Sequence, residues 1–229
     1  MMNDLGVEMQ YIHDGTDHKQ LRDISTINTS KSRYRKRKVI FLVRDPRDTV
    51  VSGYFQVQKR HKLQAGTFSE FIRSEFHGVE KIVKFNLGWF TIMPKMRSIK
   101  YLQYEDVHRD TVGSISGIVS FLGIPASPSK IIEVAENRTF EKMRASEAQG
   151  DLGARYGEVL QPGDNRDPES FKVRRGKVGG FREYLSSDDI AYCDEILANS
   201  RYWVTLDKVF RQNGLNYRAL EQTRVAATG

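Results

Sequence analysis

The segment Val39-Ile40-Phe41-Leu42-Val43, running without a spacer into Arg44-Asp45-Pro46-Arg47-Asp48, constrains the fold of this chain more than any other feature. Five consecutive apolar residues rich in branched side chains have the length and composition of a buried strand. Asp45 suits a helix N-cap, Pro46 suits the first helical position, and Asp48 stands where the acid of a capping box would. A strand that passes directly into a helix holds Arg44 at its carboxyl end. In open α/β sheets ligands bind outside the carboxyl ends of strands, and anions gather at the N-termini of the helices that follow. A guanidinium there can grip a phosphate through two parallel hydrogen bonds. Ser52, further into the same helix, adds a hydroxyl, while Val50, Val51, Tyr54 and Val57 form the face that docks on the sheet. The alternative reading is that Arg44 pairs with Asp48 and Ser52 is incidental.

The rest of the chain fits that beginning. Val7 to Ile12, Lys38 to Val43 and Ile99 to Tyr104 read as strands, and helical patterns cover about 46–62, 68–76, 79–97, 110–122, 128–137 and 187–200. Short apolar strands alternating with longer helices predict an α/β protein, a three-layer arrangement of a parallel sheet with flanking helices. At 229 residues the chain has the length of a single domain, expected over 1–229. Thr67 with Glu70, and Ser186 with Asp189, have the form of capping boxes. The stretch 150–180 is rich in Gly, Pro, Asp and Asn and has no regular apolar period, which predicts a long loop.

Composition excludes several classes. No apolar run approaches the ~20 residues of a membrane span, and the N-terminus has no secretory pattern, so a cytoplasmic location is the expectation. Cys193 is the only cysteine, which excludes an internal disulfide framework and a cysteine-rich zinc site and leaves it a packing role within a helix. The net charge of +7 suits anionic partners. Much of it lies in Lys31 to Lys38, a run expected to be a solvated loop before the strand. Nucleic-acid binding is not expected, because no aromatic ladder accompanies the run.

Four segments together resemble the sulfotransferase family. Val39 to Phe55, with Arg44 and Ser52 eight residues apart, is similar to its 3′-phosphate motif. Leu102-Gln103-Tyr104-Glu105-Asp106 resembles its Tyr-Glu-Asp element, and Thr139-Phe140-Glu141-Lys142-Met143 its Ser-Phe-x-x-Met element. Arg174-Arg175-Gly176-Lys177-Val178-Gly179-Gly180-Phe181-Arg182 resembles its Arg-Lys-Gly-x-x-Gly-Asp-Trp-Lys signature, with Arg175, Gly180 and Phe181 as departures. The resemblance implies a P-loop-NTPase-like fold and sulfuryl transfer from 3′-phosphoadenosine 5′-phosphosulfate (PAPS) to a hydroxyl or amine, with adenosine 3′,5′-bisphosphate (PAP) as product. It implies that Arg44, Ser52, Arg174, Arg175 and Gly176 hold the 3′-phosphate and that Tyr104, Thr139 and Phe140 line the adenosine pocket. Two charges and a glycine that lets backbone amides approach also suit a phosphate on general grounds.

The resemblance further implies a general base, and His13, after the first expected strand, is the candidate, with His18 as the alternative. The hexapeptide His13 to His18 fits no common zinc spacing, so no metal is expected. A purely structural loop stays open. The family's phosphosulfate-binding loop has no counterpart here: no Gly-x-x-x-x-Gly-Lys-Ser/Thr or similar segment occurs. The fold is therefore expected to be N-terminally incomplete, lacking a strand near the middle of its sheet. A non-catalytic protein that binds 3′-phosphoadenosine nucleotides or polyanions is the alternative function. The acceptor, a small molecule or a carbohydrate, is not identified. Trp89 and Phe90 read as core residues, with an acceptor-facing role as the alternative. Gly113 to Gly117 is no nucleophile elbow, since Ile115 stands where Ser is required.

Overall fold

A computed structural model describes residues 9–14, 16, 21–92, 96, 98–151, 154 and 160–212. Strand β1 (Val39–Val43) pairs in parallel with β2 (Ile99–Gln103), with Val39 opposite Ile99 and Val43 opposite Gln103. They form a two-stranded sheet among the described residues. The alternation of a strand puts Phe41, Val43, Ile99, Tyr101 and Gln103 on one face, all buried. Against this face pack α1 (Pro46–Phe55), α3 (Val79–Phe90) and α9 (Tyr202–Gln212). On the other face Lys100 lies beside Gly117 of α5 (Thr111–Leu122), so helices flank the sheet on both sides and the α/β expectation holds.

The core is largely aromatic. Phe41 stacks on Trp89 with ring centroids 5.1 Å apart and meets Tyr101 edge-on at 5.8 Å. The Tyr101 hydroxyl donates to the Trp89 carbonyl at 2.8 Å, which satisfies a polar group that burial would otherwise make costly. Trp89 and Phe90 are 3 % and 2 % exposed, so both are core residues. Cys193 is buried in α8 (Ser187–Asn199) beside Leu197.

Several expectations are corrected. Residues 9–12, the described part of the first expected strand, have no regular structure, and Tyr11 is 83 % exposed; without a neighbouring strand the apolar side chains do not organise a ladder. Tyr104 does not close β2 but opens α4 (Tyr104–Arg109). The helix expected over 46–62 gives way after Phe55 to a π-turn at Gln56–Arg60. Two further helices were not expected: α7 (Phe140–Ala148) and α9. Helices α2 (Phe68–Arg73) and α6 (Pro128–Glu136) lie where the pattern puts them. The Thr67–Glu70 capping box is complete, whereas the Asp189 carboxylate takes Arg73 at 2.6 Å in place of a backbone cap.

The basic run is not simply a solvated loop. Lys31 is 2 % exposed and donates to Asp14 at 2.5 Å, and the same carboxylate takes the Tyr34 hydroxyl at 2.6 Å and pairs with Arg33. Lys38 donates to the carbonyls of Phe121 (3.0 Å) and Leu122 (2.7 Å), which places a cation on the C-terminus of α5. Arg33 and Arg35 to Lys38 are exposed, and of these Arg33 and Lys38 are engaged by Asp14 and the end of α5.

Candidate functional site

The turn between β1 and α1 is held rigidly. Asp45 caps α1 by accepting from the Arg47 amide at 2.9 Å, and its own amide donates to Glu105 Oε1 at 3.0 Å, which ties the end of β1 to the start of α4. The buried Arg47 guanidinium closes the arrangement, donating to Asp45 Oδ2 and to Asp194 Oδ1, both at 2.7 Å, and covering the Phe181 ring at 4.4 Å. Because Glu105 takes the Asp45 amide, Asp48 does not complete a capping box. Its carboxylate reaches instead to the amides of Gly179 (2.7 Å) and Phe181 (2.9 Å), fastening the long loop to α1.

Arg44 projects from this frame. Its guanidinium lies 4.3 Å from the centre of the Tyr104 ring and donates to the Lys177 carbonyl at 3.2 Å. Asp48 is 3.9 Å away, at the edge of ion-pair distance, and Asp48 already accepts two amides. Arg44 Nε is buried with no hydrogen-bond partner among the described residues. A buried donor in that state is costly unless a ligand completes it.

The loop supplies the opposite wall. Arg174 donates to Glu169 (2.8 Å) and to the Tyr184 hydroxyl (2.5 Å) and lies 4.1 Å over the Phe55 ring. Arg175 pairs with Glu169 (3.0 Å) and Glu183 (2.8 Å), and Lys177 also pairs with Glu183. Gly176 has φ +60°, and a Cβ there would lie 2.6 Å from Phe140 Cδ2. Gly176→Ala must move Phe140 and hold a left-handed backbone, a cost of about 1–2 kcal/mol. It is expected to lower the urea midpoint of unfolding; an unchanged midpoint would show that the loop does not hold this conformation.

One cavity therefore brings together Arg44, Ser52 and Tyr104 from one side and Arg174, Arg175 and Gly176 from the other. Phe140 borders it only through Gly176. Thr139 caps α7 by accepting the Lys142 amide at 3.4 Å and does not line the cavity. His13 does not line it either: it is exposed in a turn whose next residue, Asp14, is anchored to Lys31, Arg33 and Tyr34. His18 lies outside the described residues, as do Gly15 and Asp17 of the hexapeptide. Sequence reasoning missed Lys177, Glu183 and Tyr184 as cavity residues. The last two fall in and beside a short 3-10 turn whose spacing carries no periodic signal.

Burial raises the Tyr104 hydroxyl pKa. His108, 4.5 Å from the Tyr104 ring, is lowered by burial and by the Arg44 charge. Burial also pushes the Glu105 carboxyl up. A carboxyl raised in the folded state binds its proton more tightly there. Its contribution to stability is complete below the ordinary value of about 4.3 and is lost as pH rises through the folded value. Glu105→Gln can keep an acceptor for the Asp45 amide without the charge. Its urea midpoint is thus expected to gain on the parent's between pH 4 and pH 7, whereas a pH-independent difference would refute the assignment.

Four cations and the carboxylates of Asp48 and Glu183 line one cavity with the Tyr104 and Tyr184 rings, a net positive and partly aromatic lining of the kind that suits an anion attached to a flat ring. The model of the sulfotransferase domain matches residues 9–210. Sulfotransferase 2A6 of Rattus norvegicus is 30% identical over 155 residues, 66% of this chain and 52% of the relative. The 3-alpha-hydroxysteroid sulfotransferase of Cavia porcellus is 30% identical over 165 residues, 70% of this chain and 55% of the relative. The chain thus spans about half the length of these relatives. Among solved structures, retinol dehydratase in complex with androsterone and inactive cofactor PAP matches with a TM-score of 0.58 at 24% identity, over 71% of this chain and 47% of that one. Mouse sulfotransferase SULT7A1 complexed with PAP matches with a TM-score of 0.55 at 21% identity, over 71% and 57%. Both share the fold described above.

Proposed function

Because this chain belongs to the sulfotransferase family, we propose that its cavity takes the 3′-phosphoadenosine end of PAPS, or PAP, and serves sulfuryl transfer to a hydroxyl or amine. The observation that carries the reading is Arg44: rigidly mounted, laid on Tyr104, and with a buried Nε that has no partner among the described residues. Ser52 adds a hydroxyl one face along α1, and the Arg174–Gly176 segment supplies charge and a glycine backbone from the loop. The residues present suit a doubly charged phosphate beside a purine.

In this reading Arg44 and Ser52 bind the 3′-phosphate, with Arg174, Arg175 and Gly176 closing over it, and Tyr104 and Phe140 flank the base. Thr139 acts by starting the helix that carries Phe140. When bound, the donor supplies the sulfuryl group. His13 is proposed to take the proton of the acceptor, a task that histidine side chains commonly serve in general base catalysis. The names of the relatives favour a small hydroxylated acceptor of the hydroxysteroid kind.

A second reading has its own observation. The sequence holds no Gly-x-x-x-x-Gly-Lys-Ser/Thr or similar loop, and backbone amides and a lysine of that kind are what stabilise charge on a phosphate leaving group. For these residues, taken by themselves, this favours binding of the nucleotide without turnover. The test is release of PAP from PAPS in the presence of a 3α-hydroxysteroid. Release above the blank without acceptor, lost in His13→Gln, supports transfer. Binding without release supports the second reading, and neither binding nor release overturns both.

A further inference from the structure

Helix α7 touches the long loop along its length. Phe140, its first residue, packs against Gly176. Two turns later Glu147, 1 % exposed, accepts the amides of Lys172 (2.6 Å) and Val173 (2.7 Å), one on each carboxylate oxygen. Arg144, one turn before Glu147, donates to the carbonyl of Val173 at 3.0 Å and to that of Arg174, and its guanidinium lies 4.9 Å from the centre of the buried Phe171 ring.

Four backbone groups, the amides of Lys172 and Val173 and the carbonyls of Val173 and Arg174, are therefore held by one pair of side chains where the chain enters Arg174-Arg175-Gly176. We propose that Arg144 and Glu147 are positioning residues, which set where Arg174 and Arg175 stand in the cavity and so its preference for a 3′-phosphate. The inference rests on the nucleotide reading given above.

A simpler role for Glu147 would be to balance the charge of a basic loop, but the geometry speaks against it. Glu147 spends both oxygens on backbone amides, while the loop's guanidiniums pair with Glu169 and Glu183. A buried carboxylate is tolerated only when its oxygens are fully hydrogen-bonded. Two amides of successive residues on one carboxylate fix the direction of the chain at that point. Lys59 on Asp167 and Arg60 on the Gln161 carbonyl hold the earlier half of the loop, Arg44 and Asp48 hold it at Lys177 and Gly179, and Arg144 and Glu147 hold the backbone of 172–174 in between.

Glu147→Gln puts an amide NH2 against a backbone N–H, and Arg144→Met keeps the stem over Phe171 while removing the donors. Both are titrated calorimetrically with PAP and with 5′-AMP, alone and combined with Arg174→Ala/Arg175→Ala. Each is expected to weaken PAP about tenfold, the scale of a charge-assisted hydrogen bond. 5′-AMP should change less than about twofold, and in the arginine-free background either variant should cost less than about a further twofold, as coupled residues do. Equal losses for both nucleotides, no loss, or losses that multiply in the combined variant would overturn the proposal. Arg144→Met serves if Glu147→Gln fails to fold. A parent chain that binds PAP no better than 5′-AMP would instead overturn the nucleotide reading on which it rests.

Discussion

Arg44→Ala is expected to weaken binding of PAP by about 1.5–3 kcal/mol, roughly ten- to hundredfold, while 5′-AMP binding changes little. Arg44 has no replacement. Arg174 and Arg175 are already engaged by Glu169 and Glu183, so neither can move to its place without leaving a carboxylate behind. The geometry that mounts Arg44 does not depend on its side chain: Asp45, Arg47 and Glu105 hold the turn through their own contacts. The variant should therefore fold, and its urea midpoint should match the parent's. Calorimetry with both nucleotides checks the expectation, and an equal loss for both would remove Arg44 from the 3′-phosphate.

Arg47→Ala has the opposite profile. The side chain is 7 % exposed and satisfies Asp45, 2 % exposed, while Asp194 at its other end is 38 % exposed. Removing the cation leaves the Asp45 carboxylate buried beside a helix start without its charge partner, and strips the cover from Phe181 and Trp203. Breaking a buried pair from one side costs about 3–5 kcal/mol. The Asp194 half is partly solvated and adds less, so urea denaturation should show a loss toward the lower end of that range. A loss below about 1 kcal/mol, the scale of an exposed pair, would mean that the cluster is solvated.

The contrast between these two arginines, three residues apart, shows what the sequence could and could not reveal. The strand and the helix start were legible because they rest on local rules: a run of apolar residues, a capping acid, a proline. That Arg44 faces outward from the strand end follows from the same rules. That Arg47 is buried does not, because its partners Asp194 and Phe181 come from more than 130 residues away. The burial of Lys31 on Asp14, 17 residues away, is likewise set by a tertiary contact and not by a local pattern. A charge run looks solvated until its counter-charge is known to be folded onto it.

Helix α7 shows a second limit. Of its residues only Glu147 is buried, so it carries no apolar stripe, and its reason for being a helix lies in what Phe140, Arg144 and Glu147 touch on a distant loop. Helix α9 is different: Tyr202, Leu206, Val209 and Phe210 are buried at helical spacing, a signal that the sequence does carry. At the cavity, Arg44, Ser52, Tyr104, Arg174, Arg175 and Gly176 were named from motifs and are gathered in one place. Glu183 and Tyr184, which shape the arginines' positions, belong to no motif and are visible only in three dimensions.

The most direct test of the central claim is calorimetric titration of the chain with PAP beside 5′-AMP at one salt concentration. A preference for PAP of at least about tenfold is expected, the value of one charge-assisted contact to the added phosphate. Equal affinity for the two nucleotides, or binding of neither by a folded chain, would contradict it.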